Sequence, residues 1–331
     1  MKYIPQIDTY RAIAVLGPIL AHTVLVHDIE YLSWNMMTPW LVKYGDAGVI
    51  LFFVISGFLI SGILMDTPDI KRFYIRRFLR ILPIYYLLVI ILRPGAKDFW
   101  WVVTYTHNWI TFIPEHNISH FWSLCVEEQF YLIWPWLVVY TPNAKRVWLF
   151  TITIATSLMY KATLVYLDHK ALAIYGTLGC MDQLSLGALT AWMLRNTSRD
   201  TYARYLKTVL LLGAIPFIFI GSANLVLWKF VIALICVPLV GSSVFPYPPK
   251  LQAIFRWAPL QYAGRISYGL YLYHLPVWHA LPWMSYRHTY GYWVCWLAYL
   301  VATFAVASLS WYAFERPINN LKRFFPYRPA P

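Results

Sequence analysis

Arg11 and His22 sit eleven residues apart inside the first long apolar stretch of the chain. An eleven-residue step at about 100° per residue brings a helix back to within roughly 20° of its start and advances it about 16 Å. The two side chains are therefore expected on one face, at different depths. Ionisable groups within a membrane span are costly, and those that persist point into a polar interior and take part in transport or chemistry. The plainer alternative is a snorkelling arginine beside a packed histidine.

Three further clusters carry chemical weight. In Lys71-Arg-Phe-Tyr-Ile-Arg-Arg-Phe-Leu-Arg80, Arg76, Arg77 and Arg80 stand at i, i+1 and i+4, so Arg76 and Arg80 are expected to share a helix face. Guanidinium forks suit bidentate phosphate contacts, so either a polyphosphate ligand or a lipid-headgroup contact fits this loop. In Trp122-Ser-Leu-Cys-Val-Glu127-Glu128-Gln129 two adjacent carboxylates enter an apolar run, and at least one must face a polar cavity. Ser123 and Glu127, four apart, share a face, although Ser123 capping a helix start is a competing reading. Ser267, Tyr271 and His274 step at i, i+4 and i+7 and form one polar stripe on an apolar helix, where they either line the same cavity as His22 or form a hydrogen-bonded interhelical pair.

Positioning these groups requires a membrane. The chain is 60% hydrophobic, only 12% charged and holds 17 tryptophans, whereas soluble domains carry about 25% charged residues. Ten segments of about 20 apolar residues can be placed near 8–27, 44–65, 78–93, 121–140, 147–166, 174–194, 205–221, 224–244, 266–283 and 291–314. The expected fold is an all-α polytopic membrane helical bundle. Residues 1–331 read as a single membrane-embedded domain, with no appended soluble domain, and the first apolar run is expected to stay as a span.

The stretch 99–112 is apolar but short, and charge decides its treatment. Counting it as a crossing would invert everything after it and move the basic residues at 145–146, 195–207, 250–265 and 316–328 to the wrong side. It is therefore expected to be re-entrant or to lie along the outer surface, with both termini cytoplasmic. The net charge of +13 then reflects topology and anionic lipid headgroups, and no nucleic-acid partner is expected. The four cysteines are widely spaced in predicted spans, which indicates neither a disulfide framework nor a zinc site. His116 and His120 stand four apart, but no further ligands are close in sequence, so no metal is expected.

At these residues the chain resembles the membrane acyltransferase-3 family. Arg11 with His22 is similar to its basic-residue, ten-residue, histidine signature. Gly48 to Phe58, Arg77-Phe-Leu-Arg80 with Pro83, Trp122 to Tyr131, Met181-Asp182-Gln-Leu-Ser-Leu-Gly187, Ser267 to His274 and Glu315-Arg-Pro317 follow in the family's order over essentially the whole chain. The resemblance implies transfer of an acyl group, commonly acetyl, from cytoplasmic acyl-CoA to a carbohydrate such as O-antigen or another lipid-linked or polymeric glycan. The expected location is a bacterial inner membrane.

It also implies that His22 is the catalytic histidine, with Arg11 its companion at the acyl donor. Arg77 and Arg80 become the phosphate-contacting pair, with Arg76 beside them. Trp122, Ser123 and Glu127 belong to the acceptor side, where Glu127 would orient the imidazole or the acceptor. Asp182, Tyr271 and His274 complete the candidate substrate-binding set. Two positions depart from the family pattern: Ile50 where a polar residue is common, and Cys180 where an arginine is common.

On this reading CoA's phosphates dock at the inner mouth and the thioester reaches His22, about 21 Å along a core of about 30 Å. Histidine suits the base because it titrates near working pH; a covalent acyl-histidine relay is the alternative route. A secondary transporter or flippase using Arg11, His22, Glu127, Asp182 and His274 as a path is the rival function, but the internal symmetry common in transporters is not evident.

Overall fold

The computed structural model describes residues 3–25, 38–110, 118–219, 225–281 and 283–327. Among them there is helix, turn and loop but no strand. Long helices lie on each of the ten apolar segments: α1 (Pro5–Leu25), α2 (Thr38–Asp66), α3 (Ile70–Leu92), α4 (Trp122–Tyr140), α5 (Asn143–Tyr166), α6 (Thr177–Asn196), α7 (Arg199–Phe219), α8 (Leu225–Ser242), α9 (Ser267–Ala280) and α10 (Tyr292–Ser310). Stretches in α2, α5 and α10 with its continuation, at Gly45–Asp66, Asn143–Tyr166 and Trp293–Phe324, are long and apolar enough to cross a membrane.

Helix α3 begins eight residues earlier than its apolar run. Asp69 explains the difference: its carboxylate accepts from the Arg72 backbone N–H at 2.9 Å and from the Arg72 guanidinium at 2.6 Å, so the cationic stretch starts on a capped turn. Over 99–110 the chain forms only the five-residue helix Phe99–Val103 and the 3₁₀ turn His107–Trp109, neither long enough to span.

Helix α2 packs against α1, α4, α6 and α8, and glycines set how closely. A Cβ on Gly57 would lie 1.8 Å from the Leu184 carbonyl oxygen of α6, and one on Gly187 would lie 2.1 Å from the Val54 carbonyl oxygen of α2. Gly48 meets the Ala14 carbonyl of α1 in the same way, at 2.3 Å. The Gly48–Phe58 and Asp182–Gly187 motifs thus serve helix packing. Gly57→Ala is expected to destabilise the fold by about 1–3 kcal/mol or more, because backbone cannot retreat as a side-chain tip can. Thermal unfolding in detergent would show it, and an unchanged midpoint would contradict the close-packing account.

Between α5 and α6 the Lys161 ammonium donates to Asp182 at 2.7 Å and Ser157 Oγ donates to the other carboxylate oxygen at 3.1 Å. The pair is sealed, with side chains 2% and 0% exposed. Asp182 lines none of the three cavities described below, and both of its carboxylate oxygens are taken up by Lys161 and Ser157. Removing one partner of such a pair leaves an uncompensated buried charge, at a cost of about 3–5 kcal/mol. Asp182→Ala is accordingly expected to unfold at much lower temperature, and Lys161→Met with Asp182→Leu to recover most of the loss. A stable, inactive Asp182→Ala would instead restore a role in substrate binding.

Large apolar side chains cover the outside of the bundle. Leu132, Ile133 and Trp136 on α4, Trp148, Ile152 and Met159 on α5, and Leu297, Val301 and Leu309 on α10 are all exposed, a surface that water would penalise and lipid would not.

Candidate active site

Five helices converge on a cavity of about 70 Å³, room for roughly five waters at ~15 Å³ each. Helix α1 contributes Arg11, α3 contributes Arg77 and Arg80, α2 contributes Ser56 between Phe52 and Phe53, α4 contributes Ser123, Glu127, Glu128 and Tyr131, and α9 contributes Ser267, Tyr268 and Tyr271. The four-residue step of Ser123, Glu127 and Tyr131 places all three on the inward face of α4. Both carboxylates of the Glu127-Glu128 pair border the cavity, facing three guanidinium groups.

Arg11 is held by Asp8 one turn earlier at 3.3 Å. Ser56 Oγ donates to Glu127 at 2.5 Å and lies 3.2 Å from the Tyr131 hydroxyl. The Arg77 guanidinium lies over the Tyr131 ring at 5.2 Å. Arg76 does not join this site: it donates to the carbonyls of Lys322 and Phe325, both at 2.9 Å, and lies 4.8 Å over the Tyr327 ring. The cavity face of α3 therefore carries Arg77, Arg80 and Ile81, while Arg76 points away and ties down the C-terminal segment.

At the Ser123–Tyr271 end, the cavity wall joins a group of imidazoles. The Ser123 and Tyr271 hydroxyls are 2.6 Å apart, and Tyr271 donates to the His120 carbonyl at 2.9 Å; Ser123 makes no helix-capping bond. One residue turn on, His274 Nδ1 lies 2.7 Å from the Tyr271 carbonyl, and His274 Nε2 lies 2.9 Å from His22 Nδ1. The His120 ring stands edge-on to His274 at 4.4 Å and lies 6.3 Å from His22. His22 is half-buried, whereas His274 and His120 are sealed, and neither ring nitrogen of His120 has a hydrogen-bond partner among the described residues.

Two expectations change here. Arg11 lines the cavity, whereas His22 lines none of the three cavities and reaches the cavity's Ser123–Tyr271 end through its bond to His274. The partner of the His22 imidazole is His274, not Glu127, whose own partner is Ser56. Although three imidazoles converge, no group of three or more His, Cys, Asp or Glu among the described residues is placed to hold a metal ion; His116 falls outside the described residues.

Trp122 faces the other way. It lines a second cavity of about 300 Å³ with His107, Asn108, Trp109, Lys170 and Tyr175. Its ring meets Tyr175 edge-on at 4.8 Å, and the Lys229 ammonium lies 5.5 Å from both rings and 3.5 Å from Asp46. A third cavity, lined by Tyr3, Gln6, Asp66, Arg195 and Phe245 among others, holds none of the candidate site residues.

The sequence model of the acyltransferase-3 family, an acyltransferase domain, matches residues 4–312. The chain belongs to the acyltransferase-3 family. Among curated relatives it is 30% identical to the peptidoglycan O-acetyltransferase OatA of Listeria monocytogenes over 96% of this chain and 56% of that protein. It is 28% identical to the "Putative peptidoglycan O-acetyltransferase YrhL" of Bacillus subtilis over 96% of this chain and 55% of that one. A Staphylococcus aureus protein named as a putative O-acetyltransferase is 27% identical over 88% of this chain and 52% of its own length. The chain thus spans about half the length of the curated relatives it matches. No solved structure matches it.

Sequence reasoning missed Ser56, Tyr268 and, above all, His120, which it weighed only as a metal ligand with His116. Ser56 and Tyr268 gave no signal beyond lying inside recognised motifs. His120 did give one: a histidine two residues ahead of Trp122 is polar where the chain turns apolar.

Proposed function

We propose that this acyltransferase-3 protein moves an acetyl group from acyl-CoA to a hydroxyl of a cell-envelope glycan, with His22 as general base. The observation that carries this is the continuity of the site: Arg11, Arg77 and Arg80 line one cavity whose end wall, Ser123 and Tyr271, is hydrogen-bonded to the backbone of the histidine cluster. Arginines recognise phosphate, and a cavity this narrow accepts the slender acyl-bearing end of a carrier while the nucleotide stays at the mouth.

The imidazole of His22 takes the proton of the acceptor hydroxyl as its oxygen attacks the thioester carbonyl. The carbon–sulfur bond then breaks and the departing thiolate takes the proton back from the imidazolium. The acceptor enters through the Trp122 cavity, where the rings of Trp122, Trp109 and Tyr175 offer the flat apolar faces that sugars stack on. Peptidoglycan is the first acceptor to test, because two relatives carry it in their names.

In this reading the ten long helices are ten spans of a bacterial inner membrane, both termini are cytoplasmic, and residues 4–312 work as one unit. The apolar exterior and the positions of the cationic clusters support that arrangement. The test is purified protein with acetyl-CoA and soluble peptidoglycan fragments. Free thiol should appear only with both present, and the fragment should gain the mass of one acetyl group. No thiol release with any glycan alcohol would overturn the proposal and favour a transporter.

A further inference from the structure

We infer that His274 is a positioning residue for the transfer reaction, holding His22 in the tautomer whose Nε2 carries the free lone pair. This rests on the reading of His22 as the base. The argument follows protons along one chain of atoms. The Tyr271 carbonyl can only accept, so His274 Nδ1, 2.7 Å away, carries a hydrogen. A neutral imidazole has one N–H, so His274 Nε2 is an acceptor, and His22 Nδ1, 2.9 Å from it, must be the donor. The remaining nitrogen of His22, Nε2, is then unprotonated and available to take a proton from an alcohol.

The reverse arrangement would require a doubly protonated His274, a cation sealed at 0% exposure with no carboxylate hydrogen-bonded to it among the described residues, and such burial is costly. The bond also changes strength during the reaction. Once His22 has taken the proton, its Nδ1–H is a donor on a cation, and charge-assisted bonds are roughly twice as strong as neutral ones. His274 thus does for His22 what a buried carboxylate does for the histidine of a serine-hydrolase triad, without placing a negative charge in the bundle. Its own geometry is fixed at both ends: Tyr299 donates to the His274 carbonyl at 3.2 Å, and the ring is anchored one turn back on its own helix.

The test uses full-length protein, acetyl-CoA and a soluble glycan acceptor. His274→Leu removes both bonds and is expected to lower kcat by about 10²–10⁴-fold while KM for both substrates stays within about threefold. His274→Gln can accept from His22 through its amide oxygen and donate to Tyr271 through its amide nitrogen, and is expected to recover at least about tenfold over His274→Leu. Independently of turnover, ¹⁵N NMR of histidine-labelled protein should show two rings with protonated Nδ1 and bare Nε2, those of His22 and His274, one of which disappears in His22→Gln. A His274→Leu enzyme within threefold of wild-type kcat, an effect confined to acceptor KM, or a protonated Nε2 on His22 would each overturn the inference. Should His274→Leu not fold, His274→Gln and the wild-type spectrum decide. Failure of the base reading itself shows separately, as turnover persisting in His22→Ala.

Discussion

His22→Ala should abolish acetyl transfer, lowering kcat by at least about 10²-fold and as much as 10⁴-fold, the range that one positioned base contributes. KM for acetyl-CoA should change little, because the arginines that would hold the donor lie in the adjoining cavity. The fold should survive: His22 is half-buried and its ring bonds only to His274 among the described partners. Thiol release measured beside thermal unfolding separates the two effects. A stable His22→Ala protein with turnover within tenfold of wild type would remove this residue from the chemistry. If the imidazole instead carries the acyl group covalently, rapid quenching with labelled acetyl-CoA before acceptor is added should trap label on wild type and none on His22→Gln.

The second large effect is expected at the donor end. Arg77→Ala and Arg80→Ala should each raise KM for acetyl-CoA by roughly ten- to 150-fold, the equivalent of losing about 1.5–3 kcal/mol of charged hydrogen bonding. The double variant should lose more than either alone. Lysine at either position should recover only part, because an ammonium group lacks the planar fork. Arg76→Ala supplies the contrast: it loses its bonds to the Lys322 and Phe325 carbonyls, so the C-terminal segment should become more sensitive to protease while KM stays near wild type. An Arg76→Ala KM shift as large as that of Arg77→Ala would mean that the three cations act together at the mouth.

Much of the site was visible in the linear chain for one reason: lipid penalises charge. Arg11, His22, Glu127 and Glu128 stand out in apolar runs, and all four take polar positions in or beside the cavity. Helical periodicity also found real faces, since Ser123 with Glu127, and Ser267 with Tyr271, line one cavity together. The same rule failed on α3. Arg76 and Arg80 are four apart, yet the face that turned inward holds Arg77 and Arg80, because spacing defines which residues share a face but not which face is buried.

Hydropathy alone accounts for the helical architecture, since apolar stretches of this length satisfy their backbone polar groups internally only as helices. Partnership across the bundle is another matter. His22 bonds to a residue 252 positions away and Arg76 to carbonyls 246 and 249 away, while Lys161 neutralises Asp182 on the next long helix. Those pairings depend on the rotation and closeness of each helix. Contacts such as Gly57 on Leu184 and Gly48 on Ala14 set them, and they exist only once the helices have packed.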